Sequence, residues 1–443
     1  MTARKQCASL FELDGAPKMS QAIPLALQHV VAMIVGCVTP AIIISGAAGI
    51  DTADRVLLIQ ASLVVSALST LLQLFPIGRK NGFHLGSALP VILGVSFAYV
   101  PSMQAIAETS GIAAILGAQI AGGICAVVVG VSIKKNRRFF PPLIAGTVVF
   151  TIGLSLYPTA INYMAGGTGQ PGYGSWQNWT VAIFTLVVVT ALNHFAKGFL
   201  KLASILIGMI AGYIFSSFFG MVSFTNVAEA GVFQLPQIMH FGITFEPSAC
   251  VAIGLLFVIN SVQAIGDFSA TTAGGLDREP TTGELHGAIL GYGVSNIFGA
   301  FLGCLPTATY SQNVGIVATT KVVNRVTLGL SALIILTAGL FPKFSALLTT
   351  IPYAVLGGAT VSVFASIAMT GMKLVMTENM NYRNTSIVGL AAALGMGVSQ
   401  ASASLAAFPD WVTTIFGKSP VVIATLVAVF LNVTLPKDKT AEK

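Results

Sequence analysis

The sequence predicts an all-α polytopic membrane protein with fourteen transmembrane segments in two inverted repeats of seven. Three observations carry that expectation. Of the 443 residues, 55% are hydrophobic and 8% charged, against roughly 25% charged in an average soluble domain. Long apolar runs such as Ile183 to Leu192 and Val421 to Leu431 lack the alternation over about ten positions that marks barrel strands. The basic residues gather on one side of a fourteen-span division. A mean hydropathy of +0.85 excludes a cytosolic enzyme, a disordered chain and a coiled coil. The 46 glycines follow no three-residue period, which excludes collagen.

A spanning helix needs about 20 mostly apolar residues. Cutting the chain at charges, prolines and polar clusters gives spans at 22–46, 54–75, 86–100, 110–133, 141–160, 178–196, 199–221, 247–268, 284–303, 305–325, 326–341, 350–372, 384–402 and 411–435. The third and tenth are too short or too broken for simple helices. With the N-terminus inside, the odd spans run outward. All of the 22 basic residues except Arg55, Lys343 and Lys418 then fall on the cytoplasmic side, including the loop from Lys134 to Arg138, as the positive-inside rule requires. Both termini are expected in the cytoplasm and the protein in the cell membrane. The net charge of +7 is therefore a topology signal. No basic stripe mixed with aromatics points to a nucleic-acid partner.

The first twenty residues are mostly polar and the apolar run after them is long, so no cleavable signal peptide is expected. Cys7, Cys37, Cys125, Cys250 and Cys304 form no C-x-x-C pair. They are expected as small core residues, without a disulfide or metal framework. Trp176, Trp179 and Trp411 lie near span ends, where indoles anchor at the membrane interface.

The two halves share a pattern. Pro90 precedes Ser96 by six positions, and Pro306 precedes Gln312 by six. The fifth span opens at Pro141-Pro142, and the twelfth carries Pro352. Seven is odd, so the second half enters from the opposite side and the repeat is inverted. Short, interrupted segments at matching places in two inverted halves point to a transporter's binding site. Irregular backbone at membrane depth must be buried in protein or line a cavity. Extended chain from each proline, followed by a half-helix, would offer free N–H groups and a positive dipole end to an oxygen-rich substrate.

Polar residues cluster on these segments. Gln312 and Asn313 interrupt an apolar region, and Ser96-Phe97 holds the matching place in the first half. Gln263 and Asp267 are four apart and so share a helix face; Asp267 is the most deeply placed acid. A charged residue at mid-membrane is a functional-site hypothesis by default. Gly266, Gly274 and Gly275 permit close helix approach. His29 lies in the first span beside Gln28. No metal-ligand cluster or nucleophile–base pair is visible, so an enzyme is not expected.

At these residues the sequence resembles the nucleobase–ascorbate transporter family, a branch of the nucleobase–cation symporters, in its purine (xanthine and uric acid) permease-like branch. The family signature is Gln, Glu or Pro, then Asn-x-Gly, four free positions, Thr, and Arg, Lys or Gly. Here Gln312-Asn313-Val314-Gly315, Thr320 and Lys321 meet it in full. Gln28-His29, Ser96-Phe97 and the stretch Ala264 to Asp267 are further landmarks, and the likeness covers about 22–435.

The resemblance implies a core domain from 22–133 and 247–341 and a gate domain from 134–246 and 342–435, flanked by tails at 1–21 and 436–443. It also implies a homodimer through the gate domain. Substrate would sit between core and gate at mid-membrane. Phe97 should stack on the base; Gln263 and Gln312 should bond its edge; Asn313 and the backbone near Ser96 and Ser311 should complete the site. No cofactor is implied beyond a coupling proton, for which Asp267 with His29 as its partner is the candidate.

Two departures bear on substrate. The family usually has glutamate at 263 and, in purine-type members, aspartate where this chain has Tyr292. A glutamine amide both donates and accepts, which suits the amide-like edge of an oxopurine. The expected function is proton-coupled import of xanthine, uric acid or a related oxopurine. An uncoupled facilitator and a same-fold carrier of another small anion are the alternatives.

Overall fold

The computed structural model describes residues 10–78, 84–132, 141–409, 412–417 and 419–436. Cys7, Arg79, Lys80, the stretch Lys134 to Arg138, Trp411, Lys418 and the tail from 437 lie outside them. Within the described residues the chain forms fourteen segments. Segments 1 and 2 are the helices Met19–Ala47 and Thr52–Leu74. Segment 3 is the strand Leu93–Val95, a turn at Phe97–Tyr99 and the helix that starts at Val100. That helix is continuous in hydrogen bonding with segment 4 as far as Val131, but it breaks at Gly111, where φ is 73° and ψ −175°. The whole stretch Phe97–Val131 has 35 residues. At 1.5 Å per residue it would measure about 52 Å, far more than a bilayer core of roughly 30 Å. The glycine break makes it two segments.

Segment 5 comprises Pro142–Ser155 and Tyr157–Met164, segment 6 is Trp176–Phe195, and segment 7 is Ser204–Ser217 behind the short turn Phe199–Leu202. Segments 8 and 9 are Pro247–Leu276 and Thr282–Phe301. Segment 10 is the strand Thr307–Thr309 and the half-helix Ser311–Thr320. Segment 11, Arg325–Leu340, bends by 82° into the short helix Pro342–Thr349. Segments 12 to 14 are Tyr353–Val375, Tyr382–Gln400 and Pro420–Thr434. Seven stretches are long and apolar enough to cross a bilayer alone. The others are short, broken or carry polar residues, and they complete the count through packing.

Three boundaries differ most from expectation. The helical part of segment 3 runs past 100 to the glycine break. Segment 8 continues to Leu276 rather than 268, because Thr271 and Thr272 return their hydroxyls to the carbonyls of Asp267 (2.8 Å) and Phe268 (3.1 Å) and stay helical. Segment 14 starts at Pro420 rather than 411; the residues before it form a separate π-turn, Thr413–Gly417. The glycines also divide. A Cβ at Gly274 would stand 2.5 Å from the Ala318 side chain, and one at Gly275 3.0 Å from that of Val317, so both admit segment 10. Gly266 faces open space.

The inverted symmetry is visible at two places. The strands of segments 3 and 10 pair antiparallel, with Leu93 opposite Thr309, Gly94 opposite Ala308 and Val95 opposite Thr307. One further bond closes each end: the Ser96 N–H donates to Pro306 O and the Tyr310 N–H to Ile92 O, both at 3.0 Å. This pairing satisfies extended backbone that lipid would leave bare. Segments 5 and 12 also meet antiparallel. Gly146 lies against Gly371 and Val375, and Gly153 so close to Ala368 that a Cβ would fall 2.3 Å from its backbone nitrogen. Equivalent elements meeting in opposite directions are what an in-plane two-fold produces.

Candidate functional site

The paired strands bring two helix starts together, and a cavity of about 240 Å³ opens beside them. It is smaller than the roughly 300–1,000 Å³ of drug-sized pockets, so it admits a compact ligand. Segments 3 and 10 contribute Ser96, Phe97, Tyr310, Ser311 and Gln312; segment 8 contributes Gln263; segment 12 closes the far side with Val363, Ser366 and Thr370.

Each polar side chain owes its place to local structure. Ser96 leaves the strand in extended conformation and caps the turn, its hydroxyl accepting the Ala98 N–H at 3.2 Å. Phe97 follows at once and presents its ring; Phe364 of segment 12 meets it edge-on at 5.2 Å. Ser311 and Gln312 open the half-helix, where the first N–H groups have no intrahelical acceptor. Among the described residues, the amides of Gln263 and Gln312 make no hydrogen bond to protein. Two free carboxamides on one small cavity, with an aromatic ring beside them, can read the edge of a planar polar molecule.

Asn313, Asp267 and His29 do not line this cavity. Asn313 turns to segment 1, where its Nδ2 lies 3.1 Å from His29 Nδ1 and 3.2 Å from the His29 carbonyl oxygen. With Asn313 donating, Nδ1 accepts, which describes a neutral imidazole. Asp267 is buried and accepts two hydroxyls of segment 10, Ser311 at 2.9 Å and Thr309. The expected partnership of Asp267 with His29 is therefore not made here: the acid holds the strand end and the half-helix start at Thr309 and Ser311, and the histidine holds Asn313, two residues further on. Tyr292 is fully buried, with its hydroxyl 2.5 Å from that of Tyr99 and the Phe257 ring packed against both.

Sequence reasoning passed over Tyr310. Its hydroxyl donates to Val95 O at 2.7 Å. Its ring fills a slot between Gly36 and Gly94, where added Cβ atoms would stand 3.0 Å and 2.6 Å from its oxygen. An aromatic residue among apolar neighbours reads as core, and only the two distant glycines betray the slot. Ser366 and Thr370 escaped notice because small hydroxyl residues are common in spans. The signature's later positions have plain physical roles. Thr320 accepts the Val322 N–H at 3.3 Å and so closes the half-helix. Lys321 takes the left-handed cap, φ 59°, where glycine is at ease; this accounts for a position that admits Gly beside Lys and Arg. The Lys321 ammonium reaches Asp277, the left-handed cap of segment 8, at 2.7 Å. All four described cysteines, Cys37, Cys125, Cys250 and Cys304, are free thiols.

The solved transmembrane domain of the cyanobacterial bicarbonate transporter BicA superimposes with a TM-score of 0.59 over 94% of this chain and 98% of its own, at 15% identity. That likeness is one of fold. In sequence, the chain is 34% identical to the uric acid permease PucJ of Bacillus subtilis, over 92% of this chain and 91% of the relative. It is 32% identical to a xanthine permease of the same organism, over 95% of each. The xanthine/uracil permease model, described as a permease family, matches residues 20–404. With the fold, the paired broken segments and the full signature, whose first residue Gln312 lines the cavity, the chain belongs to the xanthine/uracil permease family and is a multi-pass membrane transporter, not an enzyme.

Proposed function

We propose that this transporter imports an oxopurine such as xanthine or uric acid by proton symport, with both termini in the cytoplasm. One observation carries the reading: Gln263 and Gln312 offer two unpartnered amides to the small cavity that Phe97 also lines. An oxopurine presents alternating N–H and C=O groups on its edges and a flat face. A carboxamide matches N–H beside C=O with one acceptor and one donor, and the Phe97 ring covers the face. The relatives named as uric acid and xanthine permeases favour the same ligand class. The parts 22–133 with 247–341, and 134–246 with 342–435, act as core and gate around the site. An uncoupled facilitator is the second reading. It draws on Gln263 and Tyr292, neutral groups where acids are usual, and on Asp267 being already engaged by two hydroxyls.

Binding of a purine and pyrimidine panel to purified protein tests the ligand class. In that assay Gln312→Ala should weaken xanthine or uric acid binding about tenfold, because the base edge loses a partner at a site where an unpaired polar group costs about 1–3 kcal/mol. Unchanged affinity, with normal insertion, would move the site elsewhere. Gln263→Glu replaces a donor–acceptor pair by acceptors alone. The preference should shift toward purines with two neighbouring N–H donors, and an identical ranking before and after would remove position 263 from recognition.

A further inference from the structure

We infer that residues 10–17, in sequence an unremarkable polar tail, form a strap that positions the substrate-site half-helix Ser311–Thr320. The inference rests on Gln312 binding the base. The chain leaves that half-helix through the irregular residues 321–324 before segment 11 begins at Arg325. The strap lies under this turn and accepts its backbone donors. Leu10 O takes the N–H groups of Val323 (3.1 Å) and Asn324 (3.2 Å), and Leu13 O takes that of Arg325 (3.1 Å). The side chain of Asn324, fully buried, works in two directions. Its Nδ2 donates to Glu12 O and Gly15 O, each at 3.3 Å. Its Oδ1 caps segment 11 by accepting the Val326 and Thr327 N–H groups at 3.1 Å. Arg325 pairs with Asp14 and donates to Leu74 O of segment 2 at 3.2 Å.

The strap runs straight into segment 1, which carries His29. One continuous stretch, Leu10 to His29, therefore grips the half-helix twice: at Asn313 near its start, and at Val323 and Asn324 just beyond its end. Ten helical residues span about 15 Å, so the two grips fix both position and tilt. Gln312 stands one residue before the first grip. The Asp14 carboxylate is 76% exposed, and an exposed ion pair holds weakly. The backbone bonds and Asn324 make the attachment. Asn324 and the strap are thus positioning elements that act on the base through Gln312.

Two substitutions loosen the strap by different means. Asn324→Asp keeps a cap of equal rank for segment 11 but removes both Nδ2 donors and sets a carboxylate against two carbonyls. Gly15→Val leaves the 321–325 turn untouched and forces a β-branched side chain onto φ 120°, which opens the strap. Hydrogen exchange at the amides of Val323, Asn324 and Arg325 reports release directly, and xanthine affinity on the same purified, folded protein reports the consequence. Both variants should speed that exchange and weaken xanthine binding about five- to tenfold, the loss of one or two hydrogen bonds' worth of positioning. Faster exchange with unchanged affinity overturns the inference, as does unchanged exchange in both variants. Gln312→Ala in the same assay separates the causes. If it weakens binding and the released strap does not, the strap falls alone; if it too has no effect, the base-binding role of Gln312 falls and the strap's role with it.

Discussion

Asp267→Asn is expected to abolish concentrative purine uptake while leaving binding and exchange measurable. The acid is buried between Ser311 and Thr309, directly behind the residues that open the half-helix. Serine and threonine hydroxyls both donate and accept. An asparagine of the same shape can keep one oxygen acceptor and turn its amide to the other hydroxyl, so the local geometry survives. What it cannot do is gain or lose a proton. No other carboxylate among the described residues is buried, so the substitution removes the coupling candidate outright. In reconstituted vesicles, a gradient of one pH unit supports about tenfold accumulation for one proton per purine. The unmodified protein should approach that ratio and the variant should only equilibrate. Full accumulation by Asp267→Asn would take this residue out of the mechanism. No accumulation by the unmodified protein would favour the facilitator. A variant that couples normally but is poorly stable would leave Asp267 as a brace for segment 10.

The sequence announces the broken segments because a proline and a polar pair inside an apolar run violate what lipid allows, and the violation recurs at matching places. Gln263 and Gln312 stand out for the same reason, and both line the cavity. Residues whose work is done through partners far along the chain give no such signal. Asn313 sits in the signature, yet its bond goes to His29, 284 positions away. Asp267 and His29 both lie within apolar spans but serve different residues of segment 10, and an apolar setting alone cannot distinguish a pair from two separate anchors. The strap is the plainest case. Its bonds are made by main-chain carbonyls, which every residue has, so a short polar stretch that docks and one that floats have the same composition. Segment 8 outran its expected end because threonine scores as polar, although a hydroxyl returned to the preceding turn is satisfied within the helix.

Gly94→Ala should weaken purine binding by more than tenfold, although the change adds a single methyl and touches no ligand. Gly94 is the central residue of the short strand of segment 3, opposite Ala308. A Cβ there would stand 2.6 Å from the Tyr310 hydroxyl oxygen and 2.9 Å from the Cys37 sulfur. The strand cannot yield, since it is hydrogen-bonded to its partner along its length. Tyr310 must therefore leave its slot, and its hydroxyl then loses Val95 O. Overpacking a close-fitted site costs about 1–3 kcal/mol, and a buried carbonyl left without its donor costs a similar amount. Tyr310 both walls the cavity and immediately precedes Ser311, so its displacement moves the half-helix start that holds Ser311 and Gln312. A lower melting temperature should accompany the lost affinity. Tyr310→Phe, which removes the hydroxyl and keeps the ring in place, should show the smaller loss of the two. If Gly94→Ala melts and binds like the unmodified protein, the slot has room that its geometry denies, and Tyr310 is not what aligns the half-helix.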